Sequence, residues 1–205
     1  MQFGILVKYL RCVYRRHMRL PPGEMIFLSD RTLDYGAECA EALEHGYTSR
    51  GLPHPHASAK TSVGGKRDGC KGLFAVQKSL SLPIYQNCSF GIDPGWDLVT
   101  NEVKVGIKFN NYVKDRNRVW FMENKDDTYL DIKWDIGLLV LPGPTPNHVE
   151  IYAGITAKNF HRYAVPVYLE KHKHWVWQVE SNLLDMVPYV DIKAEFLTAS
   201  CLTAV

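Results

Sequence analysis

The segment Glu102-Val103-Lys104-Val105-Gly106-Ile107-Lys108-Phe109 alternates without a break, with Glu102, Lys104, Gly106 and Lys108 on one side and Val103, Val105, Ile107 and Phe109 on the other. Successive side chains of an extended chain point to opposite faces, so a strict period of two predicts a half-buried β-strand. A second strand is predicted over 96–100, and Thr100-Asn101-Glu102 supplies a tight turn between the two. An antiparallel hairpin therefore occupies the middle of the chain, with one face apolar and one face polar.

Further strands are predicted over 119–122, 135–141 and 148–155, the last two joined through Pro142, Gly143, Pro144 and Pro146. A helix is predicted over 1–19, where Leu6, Tyr9, Leu10 and Val13 oppose Arg11, Arg15, Arg16, His17 and Arg19, until Pro21-Pro22-Gly23 ends it. A second helix is predicted over 31–46, capped by Ser29 or Asp30, with Ala37, Cys39, Ala40 and Leu43 as its buried stripe. Thr156 can cap a helical turn at Ala157-Lys158-Asn159-Phe160. Residues 50–72, rich in glycine and proline, read as a long irregular segment before a short helix over 73–82. A stretch of that length without structure points to a segment that binds something or is disordered. The chain after 165 is ambiguous.

The chain has 205 residues, of which 46% are hydrophobic and 12% aromatic. That suffices for one real core and excludes global disorder. The expectation is a single α/β domain over 1–205, a mixed central sheet flanked by helices, with 1–30 as a basic N-terminal extension. Lys and Arg number 24 against 22 Asp and Glu, a formal charge of +2, so only the distribution of charge speaks about a polyanionic partner. Three basic groups are candidate phosphate contacts: Arg15, Arg16 and Arg19; Lys60, Lys66, Arg67 and Lys71; Lys114, Arg116 and Arg118. Their plain alternative is a solvated surface. Trp96 and Trp120 can stack on bases, or belong to the core.

Cys12, Cys39, Cys70, Cys88 and Cys201 form no C-x-x-C pair. This argues against a disulfide framework or a cysteine-rich zinc site and for reduced thiols in a cell interior. No apolar run reaches the length of a membrane span, and no small-residue cleavage site follows the apolar patches of residues 1–14. The pairs His54/His56 and His172/His174 lack a third ligand at zinc spacing, and His161 is a lesser general-base candidate. Ser62-Val63-Gly64-Gly65-Lys66 lacks the order of a phosphate-binding loop, and the chain has neither a dinucleotide fingerprint nor a G-x-S-x-G elbow.

The polar face of the hairpin carries Lys104, Gly106 and Lys108, with Asp97 at the start of the preceding strand. Phosphodiester cleavage is commonly assisted by a divalent cation that activates water and neutralises developing charge. Carboxylates are hard ligands suited to magnesium or manganese, and a nearby lysine can orient the water or hold phosphate. The stretch from Gly91 through Asp97 to Val99, followed by Val105-Gly106-Ile107-Lys108, resembles the metal-site hairpin of the PD-(D/E)XK nuclease superfamily. Gly36-Ala37-Glu38 resembles the preceding helix of that family. Trp120-Phe121, the run from Lys133 to Val140, and the run from Val149 to Thr156 with Phe160 are similar to its later strands and helix. The resemblance covers about 31–165.

The resemblance implies a restriction-endonuclease-like fold and a Mg2+- or Mn2+-dependent endodeoxyribonuclease acting on DNA. Asp97 and Glu38 would hold the metal and Lys108 would position the attacking water. It also implies a phage or bacterial origin and cytoplasmic location, in the host cell if the chain is viral. A homodimer is a common assembly in that family.

The position that holds the second acid in that family is Gly106 here. Three explanations stay open. A site can persist on Asp97, Glu38 and a backbone carbonyl of Gly106 or Ile107. The acid can have moved, to Glu102 for example. Or the chain binds nucleic acid, or a protein partner, without cutting. The turn separates some of these cases. With Asn101-Glu102 as the turn, Thr100 pairs with Val103 and Asp97 faces Gly106; with Thr100-Asn101, Asp97 faces Lys104, and Glu102-Val103-Lys104, with Asp93, becomes the reserve motif. Asp131-Ile132-Lys133 is a further acid-x-Lys run, of a kind common before buried strands. In structural terms alone, Glu38 is an exposed helix residue, Asp97 a turn cap and Lys108 a solvated lysine.

Overall fold

The computed structural model of the chain describes residues 22–49, 59–86, 96–111, 120–124, 132–170, 174–180 and 186–202. In order these form β1 (Glu24–Phe27), α1 (Asp30–Ser49), α2 (Ala59–Ser79), β2 (Leu98–Thr100), β3 (Val103–Phe109), β4 (Trp120–Asn124), β5 (Ile136–Pro142), β6 (His148–Thr156), α3 (Ala157–Tyr163), β7 (Val165–Leu169), β8 (His174–Glu180), β9 (Val187–Pro188) and α4 (Tyr189–Leu202). The helix predicted over 1–19 lies outside the described residues.

The central sheet runs β1-β6-β5-β3-β2, with β9 also paired to β6. The β3–β5 pairing is parallel and the others are antiparallel. It is the mixed α/β sheet expected from the pattern of elements. Ile136 through Leu141 are all buried, which is how a strand covered on both faces reads in sequence. Ile136, Leu138 and Val140 join Val105, Ile107, Val149 and Ile151 in a core beneath the helices, with Phe74 of α2 and Tyr189, Ile192 and Phe196 of α4. Leu139 and Leu141 face the other way. They pack with Trp134, Tyr152, Ile155, Phe160 of α3 and Val179 of β8 in a second core. There a three-stranded antiparallel sheet, β4-β8-β7, is placed by β8.

Helix α1 begins as predicted. The Ser29 hydroxyl accepts from the Thr32 amide at 3.3 Å, relieving one of the unpaired donors of the first turn. Cys39 and Ala40 are buried, and Ala37 and Leu43 are half-buried. Thr156 caps α3 in the same way, accepting from Asn159.

The irregular segment predicted over 50–72 is corrected from residue 59 onward. Gly64, Gly65, Gly69 and Gly72 all lie within the long helix α2, and the short helix predicted over 73–82 is mostly its second half. Residues 50–58 lie outside the described residues. Glycine costs about 1 kcal/mol per helical position relative to alanine, and packing outweighs that cost here. Leu73, Phe74, Ala75 and Val76 are buried, and Tyr35 of α1 stacks on Phe74 with ring centroids 5.5 Å apart. Lys66 pairs with Glu44, and Arg67 pairs with Glu41 at 2.8 Å. Gly72 has a direct purpose, because a Cβ there would stand 3.1 Å from Ile107 Cγ2 of β3.

Polar ties close the ends of the fold. The buried Tyr189 hydroxyl donates to Ser79, Ser79 donates to Glu24, and Lys193 donates to the same carboxylate, which links α4, α2 and β1. Lys78 donates its ammonium to the Phe27 carbonyl on β1 at 2.7 Å.

Around Gly65 and Gly69 the space for a Cβ is open. Gly65→Ala and Gly69→Ala should each stabilise the protein by about 0.5–1 kcal/mol in urea denaturation. Gly72→Ala should not. Equal gains at all three positions would contradict the seating of α2 on β3.

Candidate functional site at the β2–β3 hairpin

Asn101 and Glu102 form the two-residue turn, with φ of 49° and 64°. Positive φ at both central residues gives the backbone the twist that a two-residue hairpin needs. Thr100 pairs with Val103, Val99 with Lys104 and Leu98 with Val105. The alternative register, in which Asp97 faces Lys104, is not formed. The reserve motif fails with it: Glu102 sits exposed in the turn, outside β3, and Asp93 lies outside the described residues.

Asp97 lies just before β2 and leaves the ladder register: its amide donates to the carbonyl of Val105 at 2.9 Å, the residue that Leu98 pairs with, so Asp97 and Leu98 both oppose Val105, as in a β-bulge. Leu98 and Val105 belong to the core beneath the helices, so alternation puts Val99, Lys104, Gly106 and Lys108 together on the opposite face; it does not extend through Asp97, because Trp96 packs against the second core and Leu98 against the first. Val103 and Phe109 pack against that core and Val105 and Ile107 are buried in it, as the sequence pattern requires. Lys108 is half-buried beside Leu139 of β5. Of the two residues singled out from the sequence, Lys108 lies on that face of β3, whereas Asp97 lies at the bend before β2 with its carboxylate on the Ile107 amide.

The side chain of Asp97 has a structural task. Its Oδ2 accepts from the Ile107 amide at 2.6 Å, taking the place of a backbone acceptor where β2 begins. The bond crosses the hairpin to a residue ten positions away, so it ties β2 to β3 and is not the local turn cap.

Gly106 is where the catalytic resemblance breaks. A Cβ at this position would lie 2.6 Å from Cδ1 and 2.8 Å from Cγ of Trp134. Trp134 is buried and meets Phe160 edge-on, with ring centroids 5.6 Å apart, so its indole cannot move aside freely. The space into which a second acid would project is filled by this ring. Gly106 and Ile107, whose carbonyls are the substitute ligands, are paired with Gly137 and Leu138 of β5. Glu38 is exposed on α1, and α1 packs through Tyr35 and Gly36 on α2. Helix α2 covers the face of β3 that Lys108 points away from. Among the described residues no group of three or more His, Cys, Asp or Glu is placed to hold a metal. The residues around Gly106 do not fit a two-carboxylate site for Mg2+ or Mn2+.

Lys104 is fixed by its neighbours. Its amide donates to Asp135 Oδ2 and its carbonyl accepts from the Asp135 amide, both at 2.8 Å. Its ammonium lies 4.3 Å from the centroid of the Trp96 ring, a cation–π contact. Lys66 and Arg67, candidate phosphate contacts, pair with Glu44 and Glu41. Lys71 acts on Asp68. Burial raises that carboxyl above its ordinary range, while the Lys71 charge and a hydrogen bond from Asn111 pull it back. Lys60 has no described side chain, and Lys114, Arg116, Arg118, Asp131, His54, His56 and His172 lie outside the described residues. His161 is exposed on α3.

Sequence reasoning missed Trp134 and Asp135 as parts of this site. A signal was present: a glycine inside an otherwise regular strand marks close approach by another group.

No protein-family model, curated protein or solved structure matches the chain.

Two measurements test the hairpin. Gly106→Ala should destabilise the protein by about 1–3 kcal/mol through overpacking, and much less in a Trp134→Leu background; an equal loss in both backgrounds would refute the contact. Glu102→Gly should stabilise by about 1 kcal/mol by relieving a left-handed conformation on a residue with a Cβ. Thermal unfolding at matched pH reads both.

Proposed function

We propose that the chain is a restriction-endonuclease-like protein that binds DNA without cutting it. The observation that carries this reading is the Trp134 indole over Gly106. Cation-assisted hydrolysis of a phosphodiester needs carboxylates converging on the ion, and the position two residues before Lys108 is closed to any side chain. The hairpin, with β5 parallel to β3 and β6 antiparallel beyond it, supports the fold-level comparison.

The hairpin retains its cations. Lys104 and Lys108 share one face of β3, on backbone fixed by β5 and by Asp135. Lysines on rigid strands meet phosphates with little ordering cost, and the resulting affinity falls as salt rises. DNA as the partner, and a cytoplasmic location, follow from the resemblance and belong to the same proposal.

Gel-shift and cleavage assays on one DNA substrate, with Mg2+ and with Mn2+, test it. Binding should weaken with salt and with Lys108→Ala, and no nicking should appear. Gly106→Glu should create no cutting, because the carboxylate has nowhere to go. Metal-dependent cleavage abolished by Asp97→Asn would overturn the proposal. Absence of DNA binding, with retention of a protein partner, would replace it by the protein-binding alternative.

A further inference from the structure

Two cations at one end of the central sheet are seated on aromatic rings. The Lys104 ammonium lies 4.3 Å from the centroid of the Trp96 ring, and Arg162 Cζ lies 5.2 Å from that of Tyr163. Both rings pack against the second core, so both pairs stand on the side of the sheet away from α1 and α2. Asp135 links them. Its carboxylate and its amide bind the backbone of Lys104 on β3, and its carbonyl accepts from the Ala157 amide where α3 begins. Lys158 comes next and is exposed, as is Arg162 one turn later. Two strand spacings, about 10 Å, separate Lys104 from Ala157, and about 6 Å of helix separates Lys158 from Arg162.

A cation already seated on a ring loses less freedom when it meets a phosphate. A guanidinium on a ring also keeps its N–H edge for phosphate oxygens. The same seating bears on the form of the nucleic acid. Trp96 and Tyr163 are half-buried, and each has a cation on one face, which leaves little of either ring to stack on an unpaired base. Cations without open rings suit a backbone and not bases, and a duplex offers one phosphate charge per about 1.7 Å of its axis. In the far layer, Asp30, Asp34 and Glu38 are exposed on α1, which packs on α2. A polyanion is steered away from that helix and toward the opposite side.

We propose that Lys104, Lys158 and Arg162 form a row that grips the phosphate backbone of duplex DNA. This inference rests on the DNA-binding reading, and it extends the surface of the β2–β3 hairpin to α3.

The test uses the full chain and a fluorescent mixed-sequence duplex, read by anisotropy between roughly 50 and 200 mM salt, with a single strand of equal length beside it. The slope of log affinity against log salt should become shallower by about 1 for Lys158→Ala and for Arg162→Ala, and by about 2 for the double variant. Arg162→Lys should keep the slope, and so should Arg31→Ala on α1. Lys158 and Arg162 are exposed, and unchanged melting temperatures would verify folding. If the duplex binds and the double variant keeps the parent slope, the row is overturned and the DNA-binding reading stands. An equal change in Arg31→Ala overturns the choice of surface, and tighter binding of the single strand overturns the choice of duplex. If neither DNA form binds, the row and the DNA-binding reading both fall.

Discussion

One strand without a solvent face organises this molecule. Two cores meet across β5: Ile136, Leu138 and Val140 enter the core beneath the helices, and Leu139 and Leu141 enter the other. A one-residue slip would exchange the two sets, so the register against β3 and β6 is tightly specified. The hairpin inherits that precision through its parallel pairing from Val105 to Phe109. What Lys108 can do is then decided by which face of β3 it occupies and what already fills that face.

The face is filled by an indole. Gly106 and Trp134 are matched in shape, the missing side chain of one making room for the ring of the other. A site for hydrolysis needs a polar pocket that water and phosphate can enter, whereas close packing of carbon on backbone excludes both. The carboxylate of Asp97 closes the end of a ladder, and Lys104 lies on Trp96. The arrangement favours a rigid surface over a reactive cleft.

Much of the fold was legible because the period-two pattern and the caps express local physics. The β3 alternation, the unbroken apolar run of β5, and the Ser29 and Thr156 caps all appear as the sequence implies. Helix α2 was hidden because its four glycines lower local helix propensity, whereas the burial of Leu73 through Val76, the Tyr35–Phe74 stack and the close seating of Gly72 on Ile107 are tertiary contacts that no local pattern shows. The β7–β8 hairpin was hidden because Pro166 argues against a strand, although an edge position tolerates it. The hairpin register needed the Asn101-Glu102 dihedrals, which composition leaves undecided. The absence of a side chain at 106 was plain in the sequence, but its meaning depended on a tryptophan 28 positions away.

The ammonium of Lys78 on the Phe27 carbonyl has a consequence for the behaviour of the protein in solution. Strand β1 borders the central sheet, where unsatisfied carbonyls invite a foreign strand to add on, and Met25 and Phe27 are exposed there. A charged group seated on that carbonyl must be stripped away before another backbone can dock, which is how natural sheets resist runaway polymerisation. Among the described residues, Lys78 thus blunts one border of the central sheet against strand addition.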